Sequence, residues 1–424
     1  MTRAAVPEGA IDLSQRDLTL DIARVFCVLL VVVIHLLEVG VGRASDGALV
    51  VSRPLEHQAW FAGVTWAGQI MPLFFVVGGF ASATAWRSLV RRGGGPADYI
   101  RTRVVRLALP ALPLYVFYVV VLGVATVIGV DHRLLAVVAQ GAGLPLWFLA
   151  AYTLCQALVP VMARLHATAP KRTLAVLLLG AIAVDAMRYS LHAPPLGWLN
   201  LLFVWVLIQQ LGFWYADGWF AARSRWTLAA IAAACYLSLW PLTALGPYSV
   251  NMLDNLNPPT VPLIVLGVAQ ACVLRLLRPA LAALMRTRAA RAVVFVAGTR
   301  LMTIYLWHLP VIILLSGIAL LLPGASPEPG TSAWWWSRIP VWVLVMTAIL
   351  GLSLLVGRFE KPRSLGAAPA LWIAALGATL TFAPNFLVAQ FFLNLPLAVT
   401  GAVLLGTAVL LLARPGRSAI VGSA

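Results

Sequence analysis

Apolar runs, each long enough to cross a bilayer, alternate with short polar connections through almost the whole chain. They fall near 20–41, 60–86, 107–129, 145–163, 173–190, 199–217, 226–246, 259–277, 293–321, 338–357, 366–388 and 393–413. A segment that spans lipid alone must pair its own backbone groups, which a helix does. The pattern therefore predicts an all-α polytopic integral membrane protein of about 12 transmembrane helices. Pro384 and Pro396 interrupt the last two runs, because proline breaks a helix's hydrogen-bond ladder. A tail over 1–19 precedes the runs; it holds Glu8, Asp12 and Asp17 and no cleavage-site pattern, so the first run is expected to stay as an anchor. No connection is long enough to hold a soluble domain, and no repeat of fixed period is visible.

Basic residues alternate between connections. One set collects Arg87, Arg91, Arg92, Arg101, Arg103 and Arg106, then Arg164, Lys171 and Arg172, then Arg223 and Arg225. The same set continues with Arg275, Arg278, Arg286, Arg288, Arg291 and Arg300, and ends with Arg358, Lys361 and Arg363. The other set holds only scattered arginines such as Arg43, Arg53 and Arg133. The positive-inside rule then predicts a multi-pass protein of the cell (inner) membrane with both termini cytoplasmic. Composition agrees: 62% of residues are hydrophobic, 10% are charged, and mean hydropathy is +0.93. The formal charge of +16 is what such loops carry toward anionic head groups, and no nucleic-acid module accompanies it. Cys27, Cys155, Cys235 and Cys272 all sit in apolar runs without CxxC spacing, which suits packing and suggests neither a disulfide framework nor a metal site.

The first run, DIARVFCVLLVVVIHLLE over 21–38, contains the strongest candidate chemistry. Arg24 and His35 are eleven positions apart, just over three helical turns, so they share a face and stand about 16 Å apart along the axis. Asp21 and Glu38 continue the stripe at its ends. Ionisable groups within a span are costly, and a row of them marks a site for substrate, ions or protons, although His35 alone would also suit a hydrogen-bonded packing role. In RSLVRRGGGPADYIRTRVVRLALP, Arg103 and Arg106 lie one turn apart and offer forks suited to phosphate, or set topology and meet lipid phosphates. Gly78 and Gly79 permit a close helix approach. Trp147 and Tyr152 open the fourth run, where an interfacial aromatic belt is the plain expectation. Asn251, Asp254, Asn255 and Asn257 in NMLDNLNPPTVP suit a hydroxyl-rich acceptor or a solvated turn. In RLMTIYLWHLP, Tyr305 and His308 stand one turn apart before Pro310, which can open a local kink.

Taken together, Arg24 and His35, LFFVVGGF, Arg103 and Arg106, LWFL at 146–149, NPPT at 257–260 and YLWHLP at 305–310 resemble the membrane-bound acyltransferase 3 family. Gly78 departs from that family's usual serine, and the last two helices lie beyond its usual ten-helix unit. The resemblance implies an acyltransferase domain over 20–363 and two additional helices with a short tail over 364–424. It implies transfer of an acyl group, commonly acetyl, from cytoplasmic acyl-CoA to a hydroxyl of an exported glycan, glycolipid or metabolite. No permanently bound cofactor is implied. In that scheme His35 is general base or acyl carrier, Glu38 orients or stabilises its imidazole, and Arg24, Arg103 and Arg106 hold CoA phosphates. Trp147, Asn257, Tyr305 and His308 would line the cavity or meet the acceptor. The alternative from the residues alone is a transporter or flippase using Arg24, His35 and Glu38 as a proton or substrate path.

Overall fold

The computed structural model describes residues 17–43, 49–361 and 363–413; the tail residues 1–16 and 414–424, with Glu8 and Asp12, lie outside the described residues. In chain order the helices are α1 (Leu18–Glu38), α2 (Phe61–Gly68), α3 (Met71–Arg91), α4 (Pro96–Val127), α5 (His132–Gly143), α6 (Leu146–Thr168), α7 (Pro170–Ser190) and α8 (Asn200–Ala216). They continue as α9 (Arg225–Ala244), α10 (Val261–Leu284), α11 (Arg288–Gly298), α12 (Leu301–Leu321), α13 (Ser332–Val356), α14 (Leu371–Phe391) and α15 (Leu395–Leu412). Among the described residues these supply 12 segments long and apolar enough to span a membrane, so the chain is an all-α polytopic membrane protein.

Local chemistry sets the helix ends. Asp17 accepts from Thr19 N at 3.1 Å to start α1, Asp131 accepts from Arg133 N and Leu134 N to start α5, and Asn394 accepts from Leu397 N at 2.9 Å to start α15. Proline stands in the first turn of α3, α4, α7, α10 and α15, where its missing N–H costs nothing. Pro396 thus starts a helix, while α14 continues through Pro384.

The structure revises several expected boundaries. The third span starts at Pro96, eleven positions before its apolar run, because the capped turn around Asp98 makes the arginine-bearing stretch helical. The single run over 293–321 divides into α11 and α12 at Thr299–Arg300. Two other spans are broken, at Gln69–Ile70 and at Leu144–Pro145. Backbone freed by such breaks needs partners inside the protein. Gln270 Nε2 donates to Gln69 O at 2.7 Å, and the Tyr305 hydroxyl donates to Pro145 O at 2.8 Å. A short antiparallel hairpin, β1 (Gly40–Arg43) with β2 (Leu49–Ser52), follows α1; no apolar alternation announced it.

The core lies where α3 crosses α8. A Cβ on Gly79 would stand 2.1 Å from Gln209 O, and one on Gly212 would stand 2.2 Å from Val76 O, so both helices need glycine there. Phe75, Trp205 and Trp147 stack beside this crossing, with ring centroids 4.4 and 5.7 Å apart. Trp147 is therefore a buried member of the core, and the belt position expected for it is not where it sits. Helices α14 and α15 belong to the same body: Tyr115 of α4 donates to Asn385 Oδ1 at 3.1 Å, and a Cβ on Gly401 would lie 2.0 Å from the Tyr115 ring.

Candidate active site

Helix α1 presents Arg24, Cys27, Val31 and His35 along one face, as its 3.6-residue period requires. His35 is half-buried, and its Nδ1 lies 2.7 Å from Nε2 of the fully buried His308 on α12. The rings are parallel, 6° apart in plane with centroids 5.0 Å apart. Nδ1 of His308 lies 2.6 Å from the carbonyl of Tyr305, one turn back. A carbonyl only accepts, so His308 Nδ1 carries the proton and donates. For neutral rings the rest follows in order. His308 Nε2 must accept, His35 Nδ1 must donate to it, and His35 Nε2 keeps its lone pair. The backbone of α12 thereby selects the tautomer of a histidine on α1.

The hydrogen-bond partner of His35 Nδ1 is His308 on α12, and no bond joins Glu38 to His35 among the described residues. Glu38, the last residue of α1, has Arg53, Glu56 and Asp254 as charged neighbours at the rim beyond His35. There Arg53 donates to Glu56 at 2.8 Å, and this bond first, with Glu38 and Asp254 adding, raises the guanidinium above its usual range. In the NPPT turn, Asn255 is buried and donates to Ser249 O at 2.8 Å, while Thr260 donates to Asn255 Oδ1 at 2.9 Å. Asp185 of α7 takes Val261 N, Tyr248 Oη and Asn200 Nδ2 at 2.9, 3.0 and 2.8 Å, tying this turn to the bundle. Most of the expected polar cluster is thus spent on its own architecture, and Asn257 is left exposed.

Toward the other end, Arg24 reaches Asp21 at 3.6 Å, and its buried Nε has no hydrogen-bond partner. Arg103 lies over the Tyr99 ring at 5.2 Å, and Tyr152 has both Arg24 and Arg103 among its charged neighbours. Arg106 is exposed and lines a separate cavity with the α13–α14 connection. Arg24 and Arg103 thus stand near Tyr152, while Arg106, one turn along α4 and about 60° round its axis from Arg103, lines the neighbouring cavity. Between Arg24 and His35 lies a small apolar crevice lined by Cys27, Val31, Phe74, Phe148 and Tyr305. Its volume is about 10 Å³, enough for at most one water, so it is a seam closed by aromatic side chains. Gly78 faces this neighbourhood; a Cβ there would lie 3.2 Å from the Tyr152 ring.

These residues gather from α1, α3, α4, α6 and α12, and a family model described as an acyltransferase domain matches residues 17–358, which includes them all. The chain belongs to the acyltransferase 3 family. No curated protein and no solved structure matches it. As a member of that family it is a multi-pass membrane acyltransferase. The matched acyltransferase domain stops before Glu360, and α14 and α15 lie beyond it.

One network in this acyltransferase escaped the sequence reading. Buried His166 of α6 meets Gln210 Oε1 at 2.9 Å and Asp217 Oδ2 at 2.8 Å, and Arg87 of α3 pairs with the same carboxylate. Burial alone would push the Asp217 carboxyl up, but the bonds from His166 and Arg87 outweigh it and hold it below its ordinary 3.8. Its members are up to 130 positions apart, so no spacing could have announced it.

Proposed function

We propose that this acyltransferase moves an acetyl or similar short acyl group from cytoplasmic acyl-CoA to a hydroxyl of an exported glycan, glycolipid or metabolite. The observation that carries the reading is the hydrogen-bond chain from the Tyr305 carbonyl through His308 to His35. It leaves His35 Nε2 as a base on a half-buried ring, which acyl transfer to a hydroxyl requires.

His35 Nε2 takes the acceptor's hydroxyl proton as the oxygen attacks the thioester carbonyl. The new C–O bond gives a tetrahedral intermediate; its collapse breaks the C–S bond, and the imidazolium returns the proton to the departing sulfur. His308 Nε2 holds His35 Nδ1–H throughout, the part an orienting acceptor plays in hydrolytic triads. Arg24 and Arg103 serve donor phosphates at the end that carries most of the basic residues, and Arg106 adds to them. The acyl-thioester arm enters along the α1 face by parting the aromatic seam at Phe74, Phe148 and Tyr305. Glu38, Asn257 and Trp147 remain with the acceptor side and the cavity wall. The N terminus is cytoplasmic and the membrane is the inner (cell) membrane in this reading, as the arginine asymmetry supports.

The test is release of free CoA thiol by purified protein given acetyl-CoA and a panel of glycan, glycolipid and small hydroxyl acceptors. Release should depend on acceptor and vanish in His35→Ala, while Arg24→Ala should raise the KM for acetyl-CoA. Acceptor-dependent release that survives His35→Ala would sink the assignment of the base.

A further inference from the structure

A second cavity lies at the end of the bundle where α1 and α4 begin and α13 ends, between the first turns of α4 and the connection to α14. Its volume is about 150 Å³, and its walls carry Thr102 and Arg106 from α4 with Phe359, Glu360, Lys361 and Arg363 from the connection. Three of these side chains are cations and one is an anion.

The connection is held at both ends. On one side the Glu360 carboxylate accepts from Thr303 N in the first turn of α12, with Arg300 as a further charged neighbour. On the other, buried Arg101 donates through Nη1 to Ala367 O at 2.8 Å and through Nη2 to Gly366 O at 2.5 Å. Phe359 packs against the α4 residues of a small apolar cluster that includes Val104, Val105 and Leu109. Lys361 and Arg363, between these two anchor points in sequence, line the cavity together with Arg106. The Glu360 carboxylate is directed at a helix N-terminus, and three cations against one anion leave the wall with a net positive charge. An arginine fork matches phosphate oxygens, and a lysine ammonium adds a point charge.

We propose that this cavity is a phosphate-binding site, with Arg106, Lys361 and Arg363 as its cations and the Thr102 hydroxyl as a neutral donor. Two of its three cations come from residues beyond the matched acyltransferase domain. The site is therefore supplied by the same connection that joins the two additional helices. Its phosphate belongs either to the nucleotide end of acyl-CoA, which rests on the function proposed above, or to a lipid head group. Arg103 and Arg106 stand one turn apart on α4, close enough for one multiply phosphorylated donor to meet both side chains.

The experiment compares wild type with Lys361→Ala/Arg363→Ala in the full purified chain. Binding of CoA, of dephospho-CoA (which lacks the 3′-phosphate) and of pantetheine is measured by calorimetry, and stabilisation by phosphatidic acid against phosphatidylcholine by thermal melting. Removing one charged partner of a phosphate should cost about tenfold, so the double variant should lose on the order of a hundredfold in affinity for its phosphate ligand. Loss for CoA alone assigns the site to the 3′-phosphate, and loss for CoA and dephospho-CoA but not pantetheine assigns it to the diphosphate. Unchanged CoA binding with lost stabilisation by phosphatidic acid assigns it to a lipid head group. Wild-type affinities and melting shifts throughout the variant would overturn the phosphate site. Failure of the wild type itself to bind CoA would instead overturn the acyl-CoA reading, and the lipid arm alone would then decide the cavity.

Discussion

His308 has one nitrogen committed to a backbone carbonyl, which leaves the other able to accept from His35 and nothing else to do. In the proposed reaction His308→Ala should therefore lower kcat by about a hundredfold or more with little change in KM, since a histidine free to swap tautomers presents its base only part of the time. His308→Gln should recover part of the loss, because its amide oxygen can accept from His35 Nδ1. Steady-state kinetics of the two variants check this; equal losses in Ala and Gln would leave His308 a packing residue. Of the residues read from the chain, His35, His308 and Tyr305 do come together, and their 3.6-residue placement on two apolar helices was the legible part. What no sequence pattern told was that α1 and α12 face each other. Glu38 stands only three positions from His35, yet the hydrogen-bond partner is 273 positions away.

At the scale of elements, the α3–α8 crossing depends on two glycines. Gly79→Ala should push Gln209's backbone away and destabilise the detergent-solubilised protein by about 2 kcal/mol or more, read as a lower melting temperature. An unchanged melt would show that the helices do not meet as closely as described. Gly78→Ser, which restores the residue usual in the family, tests a milder contact, since the Tyr152 ring edge lies 3.2 Å from the new Cβ. The Arg87–Asp217–His166 clamp joins α3, α6 and the end of α8. The Asp217 carboxyl is held below 3.8, so its contribution to stability is present above that value and fades as pH falls through the depressed one. Asp217→Ala should accordingly melt below wild type near neutral pH, with the two curves converging in acid below about pH 4. A gap that stays constant down to acid pH would mean that the ionised carboxylate contributes nothing.

Across the whole molecule, α14 and α15 pack on the acyltransferase domain as part of one bundle. Tyr115 is fully buried, bonded to α14 and pressed against Gly401 of α15. Gly401→Leu should therefore lower the melting temperature of the entire protein and not merely loosen its C-terminal end. If limited proteolysis and melting showed only local loss beyond residue 364, the two helices would be an accessory instead. Sequence reading separated them because the family resemblance stops short of them, and hydropathy cannot reveal which spans touch.

Hydropathy and its interruptions determined that the chain is a bundle of membrane helices, because the cost of bare backbone in lipid leaves a chain of apolar segments no other choice. Charge placement and helical period determined which residues share a face, since both are local properties. Partnership was decided only in the tertiary structure: His35 with His308, Arg101 with the α13–α14 connection, and Arg106 with the cavity beside that connection. Those pairings depend on which helix faces which and at what depth, and these are set by close packing at glycines and aromatic side chains scattered along the chain, with no period for the sequence to display.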